Sequence, residues 1–314
     1  MAIAGRDSRS TAVELDPFRA AVLRHNLEVY GVSDATVVNA DSIAWLAEND
    51  SRYDVIFIDP ARRDNAGKRS YGLADCVPDL TLHCDLILSH ASRLLVKASP
   101  MLDVTQTLRE LPQTHRMHIV SSRGECKEIL LELLPGRSPG DGPVEIVCVD
   151  IRNEGISLFR TIGTQPDRER HLPAIGSPDM VRPGMWIYQP NASVMKAACH
   201  DALCAEWPDL RKADVNTHLY FSELRHDSFP GRMLEIMEIP DKKRLKSLVG
   251  SRLNVVARNY PATAEEISRR YRLRSSERDY LYAMRVSGKP VLLLARLVDH
   301  SPGFGSLNLH NKSS

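Results

Sequence analysis

Cysteine is sparse and unpaired in this chain. Six cysteines (Cys76, Cys84, Cys126, Cys148, Cys199 and Cys204) are scattered over 314 residues without a C-x-x-C pair. Neither a disulfide framework nor a zinc site is indicated. Free thiols fit a reducing compartment, and the cytoplasm is the expected location. Long apolar runs are missing too: Val291 to Leu294 and Ile129 to Leu134 fall far short of the roughly 20 residues that cross a bilayer. Met1-Ala2-Ile3-Ala4-Gly5 has no signal-peptide character, so no membrane partner is expected. A Gly-x-Gly-x-x-Gly fingerprint is absent as well, which argues against an NAD-type dehydrogenase. There is no internal repeat. What remains, 43% apolar and 26% charged residues, is the composition of an ordinary globular protein long enough for two packed domains.

The net charge of +1 conceals an asymmetry. Residues 1–175 carry 20 Lys+Arg against 25 Asp+Glu (net −5), and residues 176–314 carry 21 against 15 (net +6). A basic domain beside an acidic one hints at a polyanion.

The first half alternates strand and helix. Strands are expected at Thr11 to Leu15, Ala35 to Val38, Val55 to Ile58, Arg93 to Lys97 and Met117 to Ser121. Helices are expected from Phe18 to Val29 after Pro17, from Asp41 to Ala47, across Leu80 to Ala91, and from Val104 to Arg109. Such alternation means a mostly parallel sheet covered on both faces. Ile129 to Leu134 reads almost equally as strand or helix, and Val144 to Ile151 as a strand. Around Pro166 to Arg182 the periodicity is lost, which sets the boundary between a domain at 1–165 and one at 180–300. The second reads as α+β: a helix from Asn191 to Cys204, strands at Arg232 to Glu238, Leu253 to Arg258, Tyr280 to Met284 and Val291 to Leu297, and a helix from Thr263 to Tyr271 with a Thr263/Glu266 capping box. Residues 301–314, rich in Ser, Gly and Asn, read as a disordered tail.

Three acidic positions fall at expected strand ends. Glu14 and Asp16 follow the first strand, Asp41 the second and Asp59 the third, and in a doubly wound sheet all would face one crevice. Carboxylates there suit a nucleoside, accepting from ribose hydroxyls and from an adenine amino group. Helix capping, by Glu14 or Asp16 and by Asp41, is the competing reading. The run Asp59-Pro60-Ala61-Arg62-Arg63 adds an acid, a rigid turn and two guanidiniums. Arg62, Arg63, Lys68 and Arg69 either meet phosphates or form a solvated loop paired with Asp64 and Asp75. Lys97 either contacts the crevice or snorkels from it. In the second half Lys242, Lys243, Arg244 and Lys246, then Arg269, Arg270, Arg272, Arg274 and Arg278, are interleaved with Tyr271 and Tyr280. That mixture suits backbone contact and stacking on unpaired bases. Solvated helix faces are the competing reading.

The segments Val13-Glu14-Leu15-Asp16-Pro17, Asn39-Ala40-Asp41-Ser42, Asp54 to Arg63, Asp75 to Leu80, Val96 to Asp103 and Gly124 to Glu128 resemble class I S-adenosylmethionine-dependent methyltransferases with a C-terminal THUMP-like domain. Tyr188 to Ala192, Thr217 to Tyr220, Phe229 to Arg232 and Ala257 to Pro261 continue the resemblance. It implies an α/β, Rossmann-like class I methyltransferase sheet followed by a smaller α+β THUMP-like domain. S-adenosylmethionine is the implied cofactor, and RNA, tRNA or rRNA rather than DNA, the implied partner. Glu14 and Asp16 would then hold the ribose, Asp41 with Ser42 the adenine, and Asp59 with Pro60 and Arg62 would serve the reacting centre, Asp59 touching the cofactor as well. Arg63, Lys68, Arg69, Lys242, Lys243, Arg244, Arg258, Arg269 and Arg270 would meet RNA.

One departure accompanies the resemblance. The first strand and Gly-rich loop of such folds have no counterpart ahead of Glu14. In that fold the strand lies between those ending at Glu14 and Asp59, so both are expected to expose unpaired edges, and cofactor binding by the chain as given is expected to be poor. The stretch Ala98-Ser99-Pro100 also lacks the cysteine that methylation of a pyrimidine carbon needs there, which favours a base nitrogen; Cys126 is the remaining thiol candidate. Two readings stay open: an RNA methyltransferase, and a catalytically inactive RNA-binding remnant of one.

Overall fold

The structure, a computed structural model, describes residues 9–62, 72–138, 140–153, 155–163 and 172–299. Its first elements form a β-α-β unit: β1 (Ser10–Glu14), α1 (Pro17–Val29) and β2 (Ala35–Asn39), with the strands parallel from Ser10↔Ala35 to Glu14↔Asn39. Pro17 starts α1 because its fixed φ suits the first helical position, and Asp16 accepts from the Arg19 N–H at 2.9 Å. The chain leaves the helix through Gly31, at φ +67°, a left-handed conformation that costs glycine nothing. Next come α2 (Ser42–Ala47), β3 (Ile56–Ile58), the two-residue strands β4 (Ala61–Arg62) and β5 (Cys76–Val77), α3 (Leu80–Ser89), β6 (Leu94–Ala98) and α4 (Val104–Glu110). The strands β7 (Thr114–Ser122), β8 (Glu125–Leu133), β9 (Glu145–Arg152) and β10 (Gly155–Ile162) complete this part.

β10, β9, β7, β8, β6 and β3 lie side by side in that order in a six-stranded sheet, with β3 and β6 parallel and β9 and β10 antiparallel. β1 and β2 form a sheet of their own. Among the described residues no strand joins β1 to β3, the arrangement expected for strands ending at Glu14 and Asp59. Phe57 of β3 is 41% exposed, and Leu15 and Phe18, just past β1, are exposed too, while Ala12 and Val13 of β1 are half-buried. The run at Ile129 to Leu134 is a strand, not a helix. Ile129, Leu131 and Leu133 are each fully buried, and that period of two is the strand's.

The second half contains β11 (Trp186–Pro190), α5 (Ala192–Ala197), α6 (His200–Glu206), β12 (Arg211–Lys212), β13 (Tyr220–Ser222), β14 (Gly231–Glu238), α7 (Lys242–Ser247), β15 (Asn254–Arg258), α8 (Ala264–Tyr271), β16 (Asp279–Val286) and β17 (Lys289–Leu297). Its seven-stranded sheet runs β12-β13-β11-β14-β17-β16-β15, with β15 and β16 parallel. The two faces carry separate cores. One holds Ile187, Phe221, Leu234, Tyr282 and Leu293; on the other, Leu245 of α7 and Ile267 of α8 pack over Leu281, Ala283 and Leu294. The single helix expected from Asn191 to Cys204 is two, because Ala198 turns left-handed at φ +51°, and the break buries both Cys199 and His200.

The chain divides into two compact units, Met1–Arg116 with Leu130–Gly142, and Met117–Ile129 with Pro143–Ser314. The tail at 301–314 and much of the stretch after Pro166 lie outside the described residues.

Candidate functional site

Parallel pairing of β1 with β2 puts Glu14 and Asn39 at the same strand end. The Asn39 side-chain amide donates to the carbonyls of both Glu14 and Leu15 at 2.9 Å. It holds the two exit loops together, a role the sequence reading missed although Asn39 stood in a quoted segment. The Glu14 carboxylate accepts the Asp16 N–H at 2.9 Å. Asp41 caps α2 through Oδ1 alone, accepting from Ile43 at 3.0 Å and Ala44 at 2.9 Å. The capping reading of Asp16 and Asp41 is therefore correct, and it is compatible with ligand binding. A carboxylate has two oxygens with about four lone-pair sites, and one cap uses only one of the oxygens. Asp16 and Asp41 are exposed, and Glu14 and Ser42 are half-buried.

Asp59 ends β3 and Lys97 lies in β6, its neighbour in the sheet. Their Oδ2 and Nζ are 2.5 Å apart, with the side chains 53% and 41% exposed. Lys97 thus contacts the strand-end acid rather than simply reaching for solvent. Pro60 is half-buried, and Arg62 pairs through its backbone with Cys76. Arg63, Lys68, Arg69 and the side chain of Arg62 lie outside the described residues. Glu14, Asp16, Asp41 and Ser42 come together at the end of the β1-β2 sheet, and Asp59 and Lys97 at the end of β3 and β6. The two groups belong to separate sheets.

Four of the thiols are shifted away from nucleophilic activation. Burial pushes Cys126 and Cys204 up, the latter to about 11, and Cys84 to about 12. A thiolate nucleophile needs the opposite shift. Cys148, hydrogen-bonded to Cys199 with the sulfurs 4.0 Å apart, is raised by that bond and by burial.

In the second half Lys242, Lys243, Arg269 and Arg270 are exposed on helices covering one sheet face. Arg244 is engaged with Glu238 at 2.9 Å. Arg258 departs from this set. On β15, Val255 and Ala257 pack under the helices while Val256 packs on the other core, and alternation places Arg258 with Val256. A buried polar group was not foreseen at all. His200, 2% exposed, meets the Tyr220 hydroxyl through Nδ1 at 2.8 Å and stacks on His218 with centroids 4.5 Å apart. Burial, then His218 and Lys212, holds His200 down to about 3. These residues come from separate elements, so no local pattern could have signalled them.

Parallel strands with acids following β1, β2 and β3, and an α+β domain after them, make a Rossmann-like α/β part joined to a smaller domain. Comparison with known proteins agrees. A ferredoxin-like domain family matches residues 186–230 and a THUMP domain-like family residues 231–297. A crystal structure of a protein from Porphyromonas gingivalis W83, described as a candidate methyltransferase, superposes with a TM-score of 0.77 at 28% identity, covering 93% of this chain and 72% of that one. A Mycobacterium tuberculosis protein described as an uncharacterized S-adenosylmethionine-dependent methyltransferase is 34% identical over 124 residues, 39% of this chain and 32% of the relative. The ribosomal RNA large subunit methyltransferase K/L of Pseudomonas paraeruginosa is 36% identical over 81 residues, 26% of this chain and 11% of the relative. The chain spans about a third of the length of the mycobacterial relative. It carries the fold of an S-adenosylmethionine-dependent methyltransferase joined to a THUMP-like domain.

Proposed function

We propose that this chain belongs to an S-adenosylmethionine-dependent methyltransferase acting on a base nitrogen in RNA, either tRNA or rRNA. The observation that carries the reading is the set of strand-end acids whose caps leave carboxylate oxygens unused: Asp41 at α2 and Glu14 beside it. Those acceptors fit a nucleoside cofactor, Glu14 with Asp16 taking the ribose hydroxyls and Asp41 with Ser42 the adenine edge. Bound there, S-adenosylmethionine would supply an electrophilic methyl group. Asp59 and Pro60 would position the acceptor nitrogen, since aligned approach is most of what such a transfer asks of a protein. A carboxylate at Asp59 would also stabilise positive charge developing on that nitrogen. Support for RNA comes from the THUMP domain-like match and the ribosomal RNA methyltransferase among the relatives. The raised thiols favour nitrogen over a pyrimidine carbon.

The second reading is a catalytically inactive RNA-binding remnant. It draws on the THUMP domain-like match, which supports RNA binding without requiring the transfer. Isothermal titration of S-adenosylmethionine decides between the readings, in this chain and in any longer product of the same reading frame. Saturable binding that is lost in Asp41→Ala supports the enzyme. Absence of binding from every form overturns it and leaves the remnant.

A further inference from the structure

Outside the strand-end site, the described residues contain an open groove of about 720 Å³ between β15 and the end of α8. Its lining includes three guanidiniums, Arg269, Arg272 and Arg274, against a single carboxylate, Glu265. Their spacing follows from the backbone. α8 ends in a left-handed residue, Arg272 at φ +50°, and the chain then runs extended beside the start of β15. There the Leu253 N–H donates to the Arg274 carbonyl at 2.8 Å, the Arg274 N–H donates to Ser251 at 3.0 Å, and the Asn254 amide holds the Ser276 carbonyl at 2.5 Å. Leu273 packs into the core under α8. Arg272 at the left-handed helix end and Arg274 beyond it are both exposed.

Arg272 and Arg274 have no ion pair among the described residues and Arg269 acts on the Glu266 carboxylate one turn away, whereas Arg244, Arg278 and Arg296 in the same domain each hold a carboxylate directly. Arg272 and Arg274 beside Arg269 leave the groove with more positive than negative charge, and a bound anion would supply counter-charge. The volume lies within the range of small-ligand sites, and Ser268 and Ser275 add hydroxyl donors. Lys242, Lys243 and Lys246 stand on α7, which covers the same sheet face as α8. That spread of charge suits a chain of phosphates better than one isolated phosphoryl group.

We propose that this groove binds the sugar-phosphate backbone of single-stranded RNA, with Arg269, Arg272 and Arg274 each meeting a phosphate. The proposal rests on the RNA reading above and narrows it to one site. Planar guanidiniums engage phosphate oxygens in a fork that lysine cannot reproduce.

The test is fluorescence anisotropy of a short labelled single-stranded RNA titrated with the full chain across a range of salt. Three variants accompany it: Arg269→Gln/Arg272→Gln/Arg274→Gln, the same positions changed to Lys, and Lys242→Gln/Lys243→Gln/Lys246→Gln. The glutamine variant of the groove is expected to bind about tenfold or more weakly, and its slope of log affinity against log salt to shrink by about 2, at roughly 0.7 per phosphate contact. The lysine variant should keep the slope and lose part of the affinity. If the groove variant binds like the parent while the α7 variant weakens, the groove assignment is overturned and the RNA reading stands. If the folded parent binds no RNA, both fail, and binding of phosphatidylserine vesicles in its place would assign the groove to a membrane.

Discussion

The carboxylate of Asp59 and the ammonium of Lys97 meet at 2.5 Å across the ends of two adjacent parallel strands. Both side chains are about half exposed, so the pair contributes little to stability: exposed ion pairs are worth about 0–1 kcal/mol. Asp59→Asn is therefore expected to change the unfolding free energy by less than about 1 kcal/mol. On the proposed reading, methyl transfer to RNA should fall by about 10² or more, because charge developing at the acceptor would lose its carboxylate. Parallel urea melts and transfer assays check this, and equal loss in both would mean a purely structural Asp59.

Asp41 does two separable things. As the cap of α2 it satisfies two N–H groups through one oxygen; as a ligand acceptor it would use the other. Asparagine caps nearly as well, so Asp41→Asn should stay within a few tenths of a kcal/mol of the parent, while Asp41→Ala loses about 1 kcal/mol. Both should weaken S-adenosylmethionine binding about tenfold or more, the size of a lost charged hydrogen bond. Calorimetry showing full affinity in Asp41→Asn would remove Asp41 from the cofactor site.

His200 makes the fold sensitive to acid. Its imidazole is buried and held neutral down to about 3, against about 6.5 in an unfolded chain. Between those values the unfolded state binds the extra proton and the native state does not. Stability is therefore complete above pH 6.5 and declines as pH falls toward 3, at about 1.4 kcal/mol per unit while both limits are well separated. His218, also lowered by burial, acts in the same direction. Denaturant melts at pH 7.5 and 5 should show a larger loss for the parent than for His200→Phe; equal losses would place the acid sensitivity elsewhere.

Gly231 begins β14 where the backbone of β11 passes closely. A Cβ there would stand 2.1 Å from the Gln189 carbonyl oxygen and 2.6 Å from the Phe229 ring. Gly231→Ala should cost roughly 2–4 kcal/mol through forced backbone displacement. A lower urea midpoint at unchanged m-value is the expected signature. A variant as stable as the parent would show that the two strands can separate freely.

Much of this protein could be read along the chain. Pro17, Gly31, Asp41 and the Thr263/Glu266 box mark helix ends because capping depends on residues three or four apart. Alternation at Ile129, Leu131 and Leu133 favours a strand, although hydrophobicity alone left a helix open. Glu14, Asp16 and Asp41 were legible as acids following β1 and β2, whose parallel pairing brings them to one end of a sheet, whereas Asp59 follows β3 in another sheet. Tertiary structure decided what depends on distant residues. Lys97 reaches Asp59 only because β3 and β6 are neighbours, and His200 is held neutral by burial first, then by the charges of His218 and Lys212. The separation of Arg258 from the helical basic groups came from the two opposed cores of its sheet, and the helix break from a left-handed turn at Ala198. A local pattern reports propensity and periodicity, whereas charge partners, pKa shifts and shared faces are set by which elements the fold brings within a few ångströms.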